Sequence, residues 1–223
     1  MAKTYVSIVI PTLEEERNIR ALLNGIKPVI KGYRYEIIIV DGYSKDRTVE
    51  YARKMGARII YDNKGKGSAL IKGLNEAKGS IIISMDADLS NRPNELKLLI
   101  AGIEAGYDVC MGSRFLTGGG SEDMPFHRIM GNKFFVSLVN LRFGSRYTDM
   151  CYGYRSFAKG VPKKLALTET GFGIETEISM KVQKKRLEAL EVPSFEKQRA
   201  SGEGKLRSFS DGWIILKTIL KNM

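Results

Sequence analysis

The chain has 223 residues, and its 36 lysines and arginines outnumber 25 aspartates and glutamates, for a formal net charge of +11. That length suits one domain with a sizeable core. No apolar run reaches the roughly 18 residues that a bilayer span needs, Cys110 and Cys151 match neither a disulfide framework nor a zinc spacing, and a single His127 removes most histidine-based metal sites and triads.

Carboxylates must therefore hold any metal, and the excess positive charge predicts attraction to polyanions: nucleic acid, anionic lipid or a phosphorylated substrate. The early apolar run stops at Pro11 without a small-residue cleavage pattern, so a secretory leader is not expected. The two cysteines read as buried thiols in a reducing, cytosolic setting.

In chain order, Tyr5 to Ile10 reads as a strand. Glu14 to Ile30 places Ile19, Leu22, Leu23 and Ile26 at helical intervals, and Tyr35 to Val40 is again a strand. Ser44 to Met55 predicts a helix, Arg58 to Tyr61 a strand, Gly67 to Ala77 a helix and Ser80 to Met85 a strand. A helix over Pro93 to Ala105 begins at an Asn-Arg-Pro turn, and Tyr107 to Met111 is a strand. Strands separated by helices of this length imply right-handed crossovers and a mostly parallel sheet covered on both faces, an α/β fold.

The rhythm changes after Gly112. Gly118 to Gly120 breaks the chain before a long helix over Phe126 to Phe143, with Met130, Phe134, Leu138 and Leu141 in register and Phe135, Val136 and Val139 widening its apolar face. Tyr154 to Ala158 predicts a strand, Ile174 to Lys185 a helix and Leu187 to Val192 a strand. Asp211 to Leu220 predicts a last amphipathic helix with Trp213, Leu216 and Leu220 on one side.

Ligands of open parallel sheets bind beyond the carboxyl ends of the strands. Pro11, Thr12 and Glu15 follow the first strand, Asp41 the second, and Asp86 and Asp88 the fourth, so all fall on one edge. Carboxylates two residues apart in extended chain share a side, so Asp86 and Asp88 can converge on one hard cation that offsets a diphosphate. The plain alternative for each is a solvated turn residue at a strand end.

Four segments in order resemble family 2 glycosyltransferases of the GT-A fold: Val9-Ile10-Pro11-Thr12-Leu13-Glu14-Glu15, Val40-Asp41-Gly42-Tyr43-Ser44-Lys45-Asp46-Arg47-Thr48, Asp86-Ala87-Asp88-Leu89-Ser90 and Gly112-Ser113-Arg114-Phe115. Thr148-Asp149-Met150-Cys151-Tyr152-Gly153-Tyr154-Arg155, together with Arg199 and Gly202-Glu203-Gly204-Lys205-Leu206, is similar to dolichol-phosphate mannose synthases and related polyprenyl-phosphate sugar transferases. The resemblance implies a single GT-A domain whose residues 1–115 bind a nucleotide sugar and whose residues 116–223 meet the acceptor. It implies Pro11, Leu13, Glu15, Asp41 and Ala87 around the nucleotide, and Asp86, Asp88 and Ser90 around Mg²⁺ or Mn²⁺. Arg114 and Arg128 are expected at the acceptor phosphate, and Arg199 and Lys205 over the donor phosphates.

The implied reaction is inverting transfer of one hexose or N-acetylhexosamine to a dolichyl or polyprenyl phosphate, with Asp88, Arg114 and Arg128 as the catalytic set. GDP-mannose, UDP-glucose and UDP-N-acetylglucosamine all remain open as donors, and a soluble acceptor remains an alternative. Peripheral contact with the cytoplasmic face of a membrane would rest on the two amphipathic helices. Glu175 and Glu177 are candidate bases, but two-residue spacing on a helix sets them on different faces, so at most one reaches the site. A sugar-phosphate nucleotidyltransferase would need a Gly-rich basic loop where Glu14-Glu15-Glu16 stands. A nucleic-acid-binding protein would not gather aspartates on one edge, where they repel phosphate, so nucleic acid is not an expected partner.

Overall fold

The computed structural model describes residues 4–200 and 208–223. Its centre is a seven-stranded sheet, built from β1 (Tyr5–Thr12), β2 (Arg34–Asp41), β3 (Arg58–Tyr61), β4 (Ile81–Ser84), β5 (Val109–Ser113), β7 (Arg155–Ala158) and β8 (Ala189–Pro193). The order across the sheet is β3, β2, β1, β4, β7, β5, β8. Every neighbouring pair is parallel except those made by β7, which runs against both β4 and β5.

Alternation along the central strands divides the core between two faces, as a period of two requires. Ile8, Ile10, Ile37, Ile39, Ile81 and Ile83 pack on one side with Ile19, Leu22, Leu23 and Ile26 of α1 (Glu16–Ile30) and with α4 (Leu96–Glu104). Val9, Ile38, Val40 and Ile82 face α3 (Lys66–Glu76) and, farther along, α7 (Ile174–Lys184). These side chains are essentially excluded from water, and burying each contributes about 2 kcal/mol relative to leaving it exposed.

Residues expected to open the second helix instead form a pinned loop, so α2 is only Thr48–Lys54. Asp41 takes Ser44 by its amide and hydroxyl, and Asp46 takes the amide and hydroxyl of Thr48. Short polar side chains that bond nearby amides compete in this way with the helix ladder. Three elements carry no sequence expectation at all: α6 (Val161–Leu165) and the two-stranded sheet of β6 (Gly120–Ser121) with β9 (Phe195–Glu196).

The reversal of β7 decides which loop reaches the carboxyl edge of the sheet. Because Arg155 opens β7 opposite Ser84 and Met111, residues 148–154 arrive at the same edge where the parallel strands end. The long helix α5 (Phe126–Phe143) and the last helix α8 (Ser208–Asn222) pack on each other beside that edge, with α7 behind α8. Both helices are two-sided: Val136, Val139 and Ile219 are buried, whereas Phe126, Met130, Phe134, Leu141, Trp213 and Leu220 are exposed. No helix among the described residues is long and apolar enough to cross a membrane.

Candidate active site

A cleft of about 650 Å³ lies along the carboxyl edge of the sheet, within the size range of small-molecule sites. Its walls include Pro11, Leu13, Glu15, Asp86, Ala87, Asp88, Ser90, Arg114, Arg128 and Arg199, so most residues expected from the sequence do meet in one place. Lys205 lies outside the described residues. Asp41 is not on the wall: it is fully buried, accepting the Thr12 hydroxyl at 2.9 Å besides its Ser44 bonds. Its oxygens hold the β1 and β2 ends together, which shapes the cleft from behind.

Asp86 and Asp88 leave β4 in a bend that their neighbours fix. The Asp86 amide donates to Asn91 Oδ1 at 2.7 Å, and the Ser90 amide donates to Asp88 Oδ1 at 3.0 Å. Each carboxylate also meets a cation of the chain. Lys66 Nζ lies 2.8 Å from Asp86 Oδ1, and Arg199 Nη2 lies 2.8 Å from Asp88 Oδ2. The other arm of Arg199 reaches Glu15 at 3.6 Å, and Lys66 also touches Glu175 Oε1 at 3.0 Å. Burial opposes the Lys66 charge, but the carboxylates of Asp86 and Glu175 outweigh it and raise its pKa.

Glu175 and Glu177 part as helical spacing demands. Glu175 lines the cleft. Glu177 turns to the 168–169 loop, where it accepts the amides of Thr168 and Glu169 and pairs with Lys181. Gly153 sits where side chains converge, since a Cβ there would come within 3.3 Å of both Asp86 Oδ2 and Glu175 Oε1.

Arg114 lines the cleft with its guanidinium already engaged within the chain. Its guanidinium forks onto Asp149, with Nε to Oδ2 at 2.7 Å and Nη2 to Oδ1 at 3.0 Å, and Nη1 meets Glu196 at 3.1 Å. The side chain is 8% exposed and Asp149 is fully covered. An arginine so neutralised presents little charge to an incoming phosphate. It instead ties the end of β5 to β9 and to the 148–154 loop, with its cation over the Tyr152 ring. Arg155, buried behind that loop, donates to the carbonyls of Met150 and Tyr152; burial lowers its pKa. Burial and then Asp149 push the Cys151 thiol up to about 12, so this cleft cysteine stays protonated.

Sequence reasoning missed Lys66, Asn91, Tyr152 and Glu196 as cleft or cleft-supporting residues. Lys66 carried one signal, the glycines on either side, which fit no P-loop spacing. Gly65 has φ +117 and sits against the Thr170 carbonyl, so only glycine lets α3 start tightly against the 169–171 loop and aim Lys66 inward.

Residues 7–165 match glycosyl transferase family 2. The chain belongs to that family. Among curated relatives, it is 36% identical over 210 residues to a dolichol-phosphate mannosyltransferase of Pyrococcus furiosus, an alignment covering 91% of this chain and 59% of the relative. It is 32% identical over 217 residues to a dolichyl-phosphate hexose transferase of Haloferax volcanii, covering 97% and 92%. The chain thus spans little more than half of the first relative. Among solved structures, glucosyl-3-phosphoglycerate synthase of Mycobacterium tuberculosis, in complex with Mn²⁺, UDP and glucosyl-3-phosphoglycerate, superposes with a TM-score of 0.76 at 20% identity, covering 98% of this chain and 80% of that one. The family 2 chain therefore has the GT-A fold that its motifs predicted.

Proposed function

We propose that this family 2 chain transfers one sugar from a nucleoside diphosphate sugar to a polyprenyl phosphate at a membrane surface. The observation that carries the reading is the cleft at the sheet edge, where Asp86 and Asp88 sit together, facing the apolar-surfaced pair α5 and α8. Relatives named for dolichyl phosphate support the same acceptor class.

Pro11, Leu13 and Glu15 line the end of the cleft expected for the nucleotide. Asp86 and Asp88 are the metal-holding residues of this reading. Among the described residues no three Asp, Glu, His or Cys side chains gather to hold a metal by themselves. Two carboxylates already facing cations nevertheless fit Mg²⁺ or Mn²⁺, because such ions take one or two carboxylates and fill the remaining positions with substrate phosphate and water. A bound divalent ion would supply charge for the leaving diphosphate.

The chain's own residues do the rest. Arg199 and Lys66 stand where donor phosphates need countercharge, and Arg128, on the cleft wall of α5, is the cation placed to meet the acceptor phosphate. Arg114 positions the 148–154 loop rather than the phosphate. A phosphate monoester, with a second pKa of about 6, is already anionic near neutrality, so the attacking oxygen needs no dedicated base. Glu177 faces away from the cleft and Glu175 is engaged by Lys66. What remains is alignment and charge compensation, and in-line attack inverts the anomeric centre.

The exposed rings of Phe126, Phe134 and Trp213, beside Lys133, Lys217 and Lys221, form a basic, apolar surface of the kind that lies in a lipid interface. We assign it to the cytoplasmic face of a membrane. The test is transfer from labelled GDP-mannose, UDP-glucose and UDP-N-acetylglucosamine to dolichyl phosphate in liposomes, with and without Mn²⁺. Label should enter the lipid phase with one donor. Label passing only to water-soluble acceptors, or to none, rejects the reading.

A further inference from the structure

Among the described residues, four carboxylates, Glu15, Asp86, Asp88 and Glu175, are joined through two cations, Lys66 and Arg199. These six side chains together carry two net negative charges, the complement of one divalent ion. A nucleoside diphosphate sugar then adds further negative charge, which is best balanced if a cation already in the cluster turns towards phosphate.

Lys66 is built for that exchange. It has two partners on different elements, Asp86 after β4 and Glu175 on α7. Asp86 is 28% exposed and accessible to an ion, whereas Glu175 is 6% exposed. Losing Asp86 to a metal leaves Lys66 tethered in the cleft by Glu175 with one side of its ammonium turned to the ligand. Its position at the first residue of α3 adds a push, because a helix N-terminus favours anions and disfavours a cation unless carboxylate or phosphate lies against it.

We propose that Lys66 couples metal to donor: its ammonium pairs with Asp86 until a divalent ion claims that carboxylate, and then turns to the donor diphosphate. Lys66 is on this account a positioning residue for the transfer reaction proposed above, on which the inference rests. It makes Lys66 both a competitor of the metal and a ligand of the nucleotide, so the two ligands help each other bind.

The experiment measures Mn²⁺ affinity of the full chain by electron paramagnetic resonance, alone and with saturating GDP or UDP. In the parent, the nucleotide that binds should tighten Mn²⁺. Lys66→Gln should bind Mn²⁺ alone about tenfold more tightly and lose the part of the nucleotide's enhancement that direct phosphate coordination does not supply, a change within the usual span of coupling factors. Lys66→Arg should restore competition. Glu175→Gln should move the opposite way, weakening Mn²⁺ binding, because Lys66 then has Asp86 alone. A purely structural bridge between α3 and α7 would move both variants in the same direction. A folded Lys66→Gln with unchanged or weaker Mn²⁺ affinity overturns the inference; if that variant does not fold, unchanged or tighter binding by Glu175→Gln does so. Failure of every nucleotide to bind the parent would reject the functional reading instead, while the arms without nucleotide still judge Lys66.

Discussion

Replacing Asp149 by alanine tests whether Arg114 supports the cleft or serves a ligand. In the parent, Asp149 accepts two guanidinium bonds at 2.7 and 3.0 Å and the Cys151 amide at 3.1 Å, all away from water. Removing one partner of a buried pair typically costs about 3–5 kcal/mol, because the remaining charge is left without compensation. Glu196 still holds Nη1 of Arg114, which places the expected loss near the lower end, about 3 kcal/mol. By comparison, the Lys54–Glu50 pair is 71% and 49% exposed, and Glu50→Ala should leave the unfolding midpoint close to that of the parent. Urea unfolding of both variants beside the parent measures the difference through the midpoint at constant slope. The Arg114→Met, Asp149→Leu double variant should recover only part of the loss, since the apolar pair escapes the desolvation of two charges but leaves Glu196 without its cation and the Cys151 amide without its acceptor. If Asp149→Ala loses less than about 1 kcal/mol and instead raises only the acceptor KM, Arg114 is a phosphate ligand and the supporting role assigned to it is wrong.

Other changes separate the remaining roles. Asp88→Asn should abolish sugar transfer while its thermal unfolding stays close to that of the parent; full activity at saturating Mg²⁺ and Mn²⁺ would contradict its place as a metal residue. Phe134→Asp and Trp213→Asp should each reduce flotation with anionic liposomes, and folded variants that float like the parent would remove the proposed membrane face. Burial alone would raise the Glu177 pKa, but Lys181 and the amides of Glu169 and Thr168 outweigh it and hold the carboxyl below its usual 4.5. A depressed carboxyl contributes stability that is present above its unfolded pKa and lost as pH falls through the folded one. The stability gap between parent and Glu177→Gln should therefore narrow as pH drops below 4.5, and a gap that stays constant from neutral into acid would show that the carboxylate's charge does not matter.

The strands were legible because their apolar runs are bounded by turn residues: Ile8 to Ile10, Ile37 to Val40 and Ile81 to Ile83 all lie inside β1, β2 and β4. The carboxylates at their ends were legible for a related reason, since a parallel sheet sends its loops to one edge. The direction of β7 was not, because Arg155-Ser156-Phe157-Ala158 alternates in the same way whichever way it runs. Elements of two to five residues such as β6, β9 and α6 offer no period to read.

Those omissions explain why the surroundings of Arg114 and Lys66 were not legible. Residue type says that Arg114 can fork a phosphate, and its place after β5 puts it at the correct edge. What it meets there depends on Asp149, which reaches that edge only because β7 is reversed, and on Glu196, which reaches it only through β9. Lys66 poses the converse problem: a lysine between two glycines in a chain with 36 basic residues looks like a solvated charge. Its significance lies in two carboxylates contributed by distant elements, one of which, Glu175, attracted attention for a different reason. A charged side chain's chemistry can be read locally, but its availability to a ligand is decided by which opposite charges the topology brings beside it. Arg114 and Lys66 are the same kind of ion by sequence and fall on opposite sides of that division: Asp149 and Glu196 enclose the first, whereas the second pairs with Asp86, which is 28% exposed and, in the coupling proposed above, is the partner a metal would take.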